Sequence, residues 1–126
     1  MPSQREYGPR SISARLTICI YYITLPKSFE IHITPECAAW LAGLRDVKGR
    51  SLVLARIRRL EVSRHWGDAK PVGGGVIEIR VDYGPGYRIY CKRIGRIVVL
   101  LLSGGDKSTQ RRDVERAKDI AKQWQT

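Results

Sequence analysis

The hydrophobic pattern of the first half of the chain predicts one strand followed by two helices. Residues 29–33 alternate between apolar and polar side chains, which is typical of a half-buried strand. Apolar side chains at positions 37, 40, 41 and 44 follow the spacing of one helix face, and Thr34 can cap that helix with Pro35 at its first position. Apolar residues at positions 53, 57 and 60 indicate a second helix whose exposed side is mostly basic.

A β-hairpin with two unlike faces is predicted farther along the chain. Residues 77–92 alternate between apolar and polar or charged side chains on both sides of a Gly-Pro-Gly turn, a pattern typical of an antiparallel hairpin. One face should therefore be apolar and the other charged. A register symmetric about the proline would place Asp82 opposite Arg88, and Arg80 opposite Tyr90.

The last third of the chain predicts a central strand and a final helix. The unbroken apolar run 97–102 suits a strand buried on both faces. Asp106 or Ser108 can cap a helix whose apolar residues fall between positions 117 and 124. The glycine-rich stretch 66–75 is predicted to be a loop. The predicted fold class is therefore α+β, a small antiparallel sheet packed by helices in the order strand, helix, helix, strand, strand, strand, helix.

The charge of the chain indicates a polyanionic or strongly acidic partner. The 126 residues include 23 lysines and arginines against 12 acidic residues, for a net charge of +11. Nucleic acid is the leading candidate, followed by an acidic protein. The three cysteines are odd in number and lack Cys-x-x-Cys spacing, so neither paired disulfides nor a zinc site is expected. We predict no metal, no cofactor and a cytoplasmic location.

The first 27 residues stand apart from this pattern. Three arginines precede the apolar run 16–25, which loosely resembles a signal peptide. No small-residue cleavage motif follows, and the run is about half the length of a membrane span. We interpret residues 1–27 as an extension that is an extra strand, disordered or a start-site artefact. Residues 28–126 are predicted to form one domain without membrane association.

Four segments, in order and at suitable separations, resemble the "addiction module killer protein" branch of the RelE/HigB-like toxin superfamily. They are WLAGLRD at 40–46, GDAKPVGGG at 67–75, EIRVDYGPGYRIY at 78–90 and LSGGDKSTQ at 102–110. The match runs from about residue 29 to residue 124. The resemblance implies the toxin of a type II toxin–antitoxin system, with a RelE/ParE-like fold.

The same resemblance implies an enzyme and its partners. The expected activity is ribosome-dependent, metal-independent cleavage of messenger RNA, in which a 2′-hydroxyl attacks the adjacent phosphate. The expected partners are the ribosome, its mRNA and a cognate antitoxin, a helix-turn-helix DNA-binding protein encoded next to the toxin. Two alternatives stay open: a ParE-like toxin that inhibits DNA gyrase, and a non-catalytic RNA-binding or degenerate toxin.

Matching the superfamily position by position implies three catalytic residues, Arg80, Arg88 and Lys107. Arginine stays protonated and offers a bidentate fork to a phosphate, and Lys107 precedes a helix whose first amides favour an anion. Both arginines are expected on the exposed, charged face of the hairpin. Ion pairing with Asp82 or Glu78 is the structural alternative for them.

A second group of residues is predicted to contact RNA. Candidate contacts are Lys70, Tyr90, Gln110, Asp113, Arg56 and Arg59. Tyr90 could stack on a base, whereas Arg56 and Arg59 of the predicted second helix could follow an RNA backbone. His32 and His65 fall outside the matched segments and are expected to be structural or exposed.

Overall fold

The computed structural model describes residues 28–124, so expectations for residues 1–27 lie outside the described residues. The elements, in chain order, are β1 (Glu30–Ile33), α1 (Pro35–Gly43), α2 (Val47–Ser63), β2 (Ala69–Gly73), β3 (Val76–Val81), β4 (Tyr87–Ile94), β5 (Val98–Gly105), a 3-10 turn (Lys107–Thr109) and α3 (Gln110–Gln123). Across this part of the chain, no helix is both long and apolar enough to cross a membrane.

The strands form one mixed sheet in the order β1-β5-β4-β3-β2. The α+β class is confirmed, but the fully antiparallel sheet is wrong, because β1 pairs with β5 in parallel. The other neighbouring strands are antiparallel. The apolar run that begins at Ile97 forms most of β5, which is flanked on both sides as predicted.

Strand β2 corrects the predicted loop at 66–75 and adds one strand to the predicted order. Pro71 and the adjacent glycines favour a loop in a sequence-based prediction. However, β2 lies at the edge of the sheet, where a proline without an N–H group is tolerated because only one side of the strand is paired. Pro71 lies opposite Ile77, and the pairing shifts by a bulge before Gly73.

The predicted start of α1 is confirmed by its capping contacts. The Thr34 hydroxyl accepts a hydrogen bond from the N–H of Cys37 at 3.1 Å. It also donates to the carbonyl of Leu102 at 2.7 Å, which fixes the end of β1 against β5. The predicted capping of α3 is only partly right, because Asp106 caps the 3-10 turn at the N–H of Ser108 instead.

Helices cover both faces of the sheet. Helices α1 and α2 pack on one face over an apolar core that includes Leu60, Ile79 and Leu101. Helix α3 packs on the other face over a smaller core. Cys37 and Cys91 lie free in the larger core, where burial raises the pKa of each thiol to about 12.

Candidate functional site

The register of the β3–β4 hairpin brings the two candidate arginines together. Arg80 lies opposite Arg88, and Glu78 lies opposite Tyr90. The predicted register is wrong by two residues because the hairpin is symmetric about Gly84 rather than Pro85, as the pairing of β3 and β4 shows. Directly opposed residues project to one face of a sheet. The expectation that both arginines share a face is therefore confirmed.

The tip of this hairpin carries a concave surface that we call the hairpin cavity. It has a volume of about 400 Å³. Arg80, Arg88 and Lys107, the three predicted catalytic residues, all line it, together with Asp68 and Asp82. Three basic groups and two acids therefore face one small space, which suits an anion of moderate size.

Arg80 forms the more open wall of the hairpin cavity. Its Nη2 atom donates to the Asp68 carboxylate at 2.9 Å, and its side chain keeps 40% of its surface exposed. Its backbone N–H also donates to the Asp68 carbonyl at 2.8 Å. Arg80 is thus held at its base by the backbone and can exchange an exposed, weak ion pair for a ligand phosphate.

Arg88 is buried, which corrects the expectation that it stands on an exposed face. Only 7% of the residue is exposed. Its Nη1 atom donates to the Gly86 carbonyl at 2.7 Å, and its Nε atom lies 3.7 Å from the Glu78 carboxylate. The cause is α3, which covers the adjacent part of this face and turns the predicted charged surface into a polar interior.

Glu78, expected only as an alternative ion-pair partner of the arginines, is the centre of a buried polar network. The residue is fully buried. Its Oε2 atom accepts hydrogen bonds from the Tyr90 hydroxyl at 3.0 Å and from the Gln110 side-chain amide at 2.9 Å. Its Oε1 atom has no hydrogen-bond partner among residues 28–124. Alternation places Glu78 on the face of Arg80, but sequence pattern carried no sign that α3 would cover it.

Tyr90 does not present its ring to a ligand. The residue is fully buried beneath α3, so the structure argues against its predicted stacking on RNA. Burial, followed by the charge of Glu78, raises the pKa of Tyr90 above its ordinary value. A tyrosine in this state keeps its proton at neutral pH and serves the network as a donor.

Lys107 and Lys70 approach the same face from different elements. Lys107 is exposed, and its backbone N–H donates to the Pro85 carbonyl at 3.3 Å. This contact holds the 3-10 turn against the hairpin tip. Lys70 is exposed on β2 directly opposite Glu78, so its side chain projects to the face that carries Arg80 and Arg88.

The two candidate arginines of α2, Arg56 and Arg59, lie apart from the hairpin cavity. Arg56 donates to the carbonyls of Arg80 at 2.6 Å and of Trp66 at 2.9 Å. Burial lowers its pKa from the ordinary value, and the contacts tie α2 to the sheet. Arg59 is exposed on α2, the helix that packs on the opposite face from Arg88. The structure therefore does not bring these two predicted RNA contacts to the other candidates.

Asp113 lies in the first turns of α3, beside the end of β5. Its carboxylate accepts a hydrogen bond from the Thr109 hydroxyl. It also lies so close to Gly105 that a Cβ atom there would collide with it. Gly105 in turn pairs with Arg88, so Asp113 borders the site from the helix side.

Two further features bear on what the site can bind. A cavity of about 420 Å³ lies beside β1 and is lined mainly by apolar residues such as Ile33 and Trp124, but it contains none of the predicted site residues. Within residues 28–124, no three His, Cys, Asp or Glu side chains come together as a group that could hold a metal ion.

Similarity to known proteins agrees with this architecture. No protein-family profile matches the chain. It is 40% identical over 96 residues to an uncharacterized protein of Haemophilus influenzae, covering 76% of this chain and 96% of the relative. A mutant of the E. coli toxin RelE in the free state superposes with a TM-score of 0.59 at 18% identity, over 74% of this chain and 98% of RelE. The chain therefore belongs to the family of this H. influenzae protein and has the fold of RelE.

Proposed function

We propose that this protein is the toxin of a type II toxin–antitoxin system and acts in the cytoplasm as a ribosome-dependent mRNA endonuclease. The observation that carries the proposal is the meeting of Arg80, Arg88 and Lys107 around the hairpin cavity. Its support is the RelE fold, since RelE is a toxin, together with the net charge of +11. A cognate helix-turn-helix antitoxin, encoded next to the toxin, is the proposed protein partner.

The proposed reaction transfers a phosphate within the RNA strand. The ribose 2′-oxygen bonds to phosphorus while the bond from phosphorus to the 5′-oxygen of the next nucleotide breaks. The products are a 2′,3′-cyclic phosphate and a 5′-hydroxyl, so the proton lost by one oxygen balances the proton gained by the other. Arg80 and Lys107 would neutralise the crowded phosphate oxygens, which is worth most at the transition state. Arg88, which its hydrogen bond and its ion pair hold in place, would supply a fixed positive charge.

The lining of the same cavity supports the proposed dependence on the ribosome. Asp68 and Asp82 are the acids of its lining, which contains no histidine. Carboxylates are weak acceptors for the proton of a ribose hydroxyl, and arginine in its charged form is not an acceptor at all. The remaining contribution is alignment of the 2′-oxygen with the phosphate, which a ribosome supplies by holding mRNA in a fixed geometry.

Cleavage assays with programmed ribosomes test the proposal. We expect cuts at A-site codons with cyclic or 3′-phosphate ends, and little cutting of naked RNA. Arg80→Ala and Lys107→Ala should each lower the cleavage rate by about 100-fold while leaving ribosome binding largely intact. Arg58→Ala and Lys122→Ala are charge-matched controls at exposed positions outside the cavity, and they should cut at nearly the normal rate.

Four results would contradict the proposal. Equal cutting with and without ribosomes would remove the alignment argument. Cutting that requires Mg²⁺ and leaves 3′-hydroxyl ends would exclude the assigned chemistry. Intact mRNA together with arrested gyrase would identify a ParE-like toxin. A protein that neither cuts mRNA nor arrests gyrase would be non-catalytic.

A further inference from the structure

A second polar cavity lies in the seam between α1 and α3, and we call it the seam cavity. It has a volume of about 260 Å³. Its polar and aromatic lining consists of Glu36, Trp40, Ser103, Asp113 and Arg116. It opens beside the end of β5, beyond the last residue of β5 that pairs with β1. The seam cavity is therefore built by three elements that the hydrophobic cores already hold in place.

Ser103 gives the seam cavity an unsatisfied polar group. The residue is 9% exposed, and its hydroxyl oxygen has no hydrogen-bond partner in the described part of the chain. A buried hydroxyl without a partner is costly, so such groups are rare and usually meet a ligand or an ordered water. Ser103 can both donate and accept a hydrogen bond, and it therefore marks a recognition point within the cavity.

The charge of the seam cavity is opposite in character to that of the hairpin cavity. Its lining has two carboxylates, Glu36 and Asp113, and one guanidinium. Arg116 pairs with Glu36, and both side chains are well exposed, so this pair lies on the solvent side. An acidic lining disfavours a phosphate and favours a ligand with N–H donors. Nucleobase edges carry such donors, and Trp40 adds a flat apolar surface.

Two consecutive glycines at the end of β5 connect the two cavities along the backbone. Gly104 lines the seam cavity, and Gly105 pairs with Arg88 of the hairpin cavity. A Cβ atom at Gly104 would collide with the Trp40 ring, and one at Gly105 with the Asp113 carboxylate. The glycines thus allow Trp40 and Asp113 to lie directly on β5.

We propose that the seam cavity binds a nucleobase adjacent to the phosphate held in the hairpin cavity, with Ser103 and Asp113 contacting its hydrogen-bonding edge. This inference rests on the proposed RNA-cleaving function and assigns the base-recognition part of that site. Cleavage should then depend on the identity of one base, whereas the basic residues contact only the backbone.

Calorimetric titration with 2′-O-methyl dinucleotides tests binding without cleavage, because the methylated 2′-oxygen cannot attack. Probes carrying each base are compared with probes that are abasic at either position. We expect at least one base-bearing probe to bind about tenfold more tightly than its abasic counterpart. Ser103→Ala and Asp113→Asn should each reduce that difference without weakening the abasic probe. Ser51→Ala and Asp119→Asn, both at exposed positions, are matched controls that should preserve it.

A second experiment records the codon profile of cleavage on programmed ribosomes. Ser103→Ala and Asp113→Asn should flatten the preference at one codon position, whereas damage to the fold would lower cleavage at all codons alike. Equal binding of base-bearing and abasic probes, or a preference that survives both substitutions, would overturn the seam-cavity proposal even if cleavage persists. Base-dependent binding without ribosomal cleavage would instead leave this proposal standing and remove the proposed function.

Discussion

The two faces of the sheet are packed in different ways. The face beneath α1 and α2 buries a large apolar cluster around Leu101. The face beneath α3 buries a smaller apolar cluster and, next to it, the network of Glu78, Arg88, Tyr90 and Gln110. Burying charged groups is costly unless they are paired. The first face therefore contributes mainly to stability. The second face is less stabilising, because it buries charged groups that hold Arg88 at the wall of the hairpin cavity.

The largest expected effect is on the apolar face. Leu101→Ala should lower the free energy of unfolding by about 4 kcal/mol, because it removes a fully buried side chain and leaves a cavity. Urea denaturation followed by circular dichroism measures this change. Leu54→Ala, at an exposed position of α2, is the matched control and should change stability by less than about 0.5 kcal/mol. Equal losses for both variants would contradict the placement of the core.

An intermediate effect should separate Arg88 from Arg80. Arg88→Ala should cost about 3 kcal/mol, because it leaves the buried Glu78 carboxylate without its ion-pair partner. Arg80→Ala removes only an exposed pair with Asp68, which contributes less than about 1 kcal/mol. Both variants should lose cleavage activity. If Arg88→Ala were as stable as Arg80→Ala, the buried network would not depend on that ion pair.

The smallest expected effect is the loss of the Tyr90 hydroxyl, which donates to Glu78 in the buried polar network. Tyr90→Phe should cost about 1 kcal/mol, because Glu78 loses one hydrogen bond but keeps the one from Gln110. Tyr83→Phe, at a half-buried position outside the network, is the control. Thermal unfolding resolves this difference, and unchanged stability of Tyr90→Phe would show that the hydroxyl contributes no net free energy.

Sequence pattern was sufficient for features that depend on local spacing. The capping of α1 by Thr34 and the central position of the 97–102 run follow from the residues themselves. The shared face of Arg80 and Arg88 also followed, even from a register displaced by two residues, because a shift of two preserves the face. The matched motifs also imply that Lys107 belongs to this site. Local pattern does not indicate this, because Lys107 is distant in sequence from Arg80 and Arg88.

The remaining features depend on how the helices and strands pack against one another, and local sequence pattern does not contain that information. Edge strand β2 was missed because its proline and glycines are typical of loops. Burial of Arg88 and Tyr90 was missed because α3 packs over polar residues at one end of the sheet. Local pattern predicts Arg56 to be a surface cation, because its carbonyl partners at Arg80 and Trp66 are distant in sequence.

The parallel pairing of β1 with β5 has a consequence for how the chain matures during its own synthesis. Thr34, at the end of β1, bonds to Leu102, a partner 68 positions later. Such long-range pairing cannot form until the later strand has left the exit tunnel, since a growing chain folds from its N-terminal side. Lys107 emerges later still. A nascent chain therefore lacks a complete hairpin cavity until the segment that carries Lys107 has also left the exit tunnel.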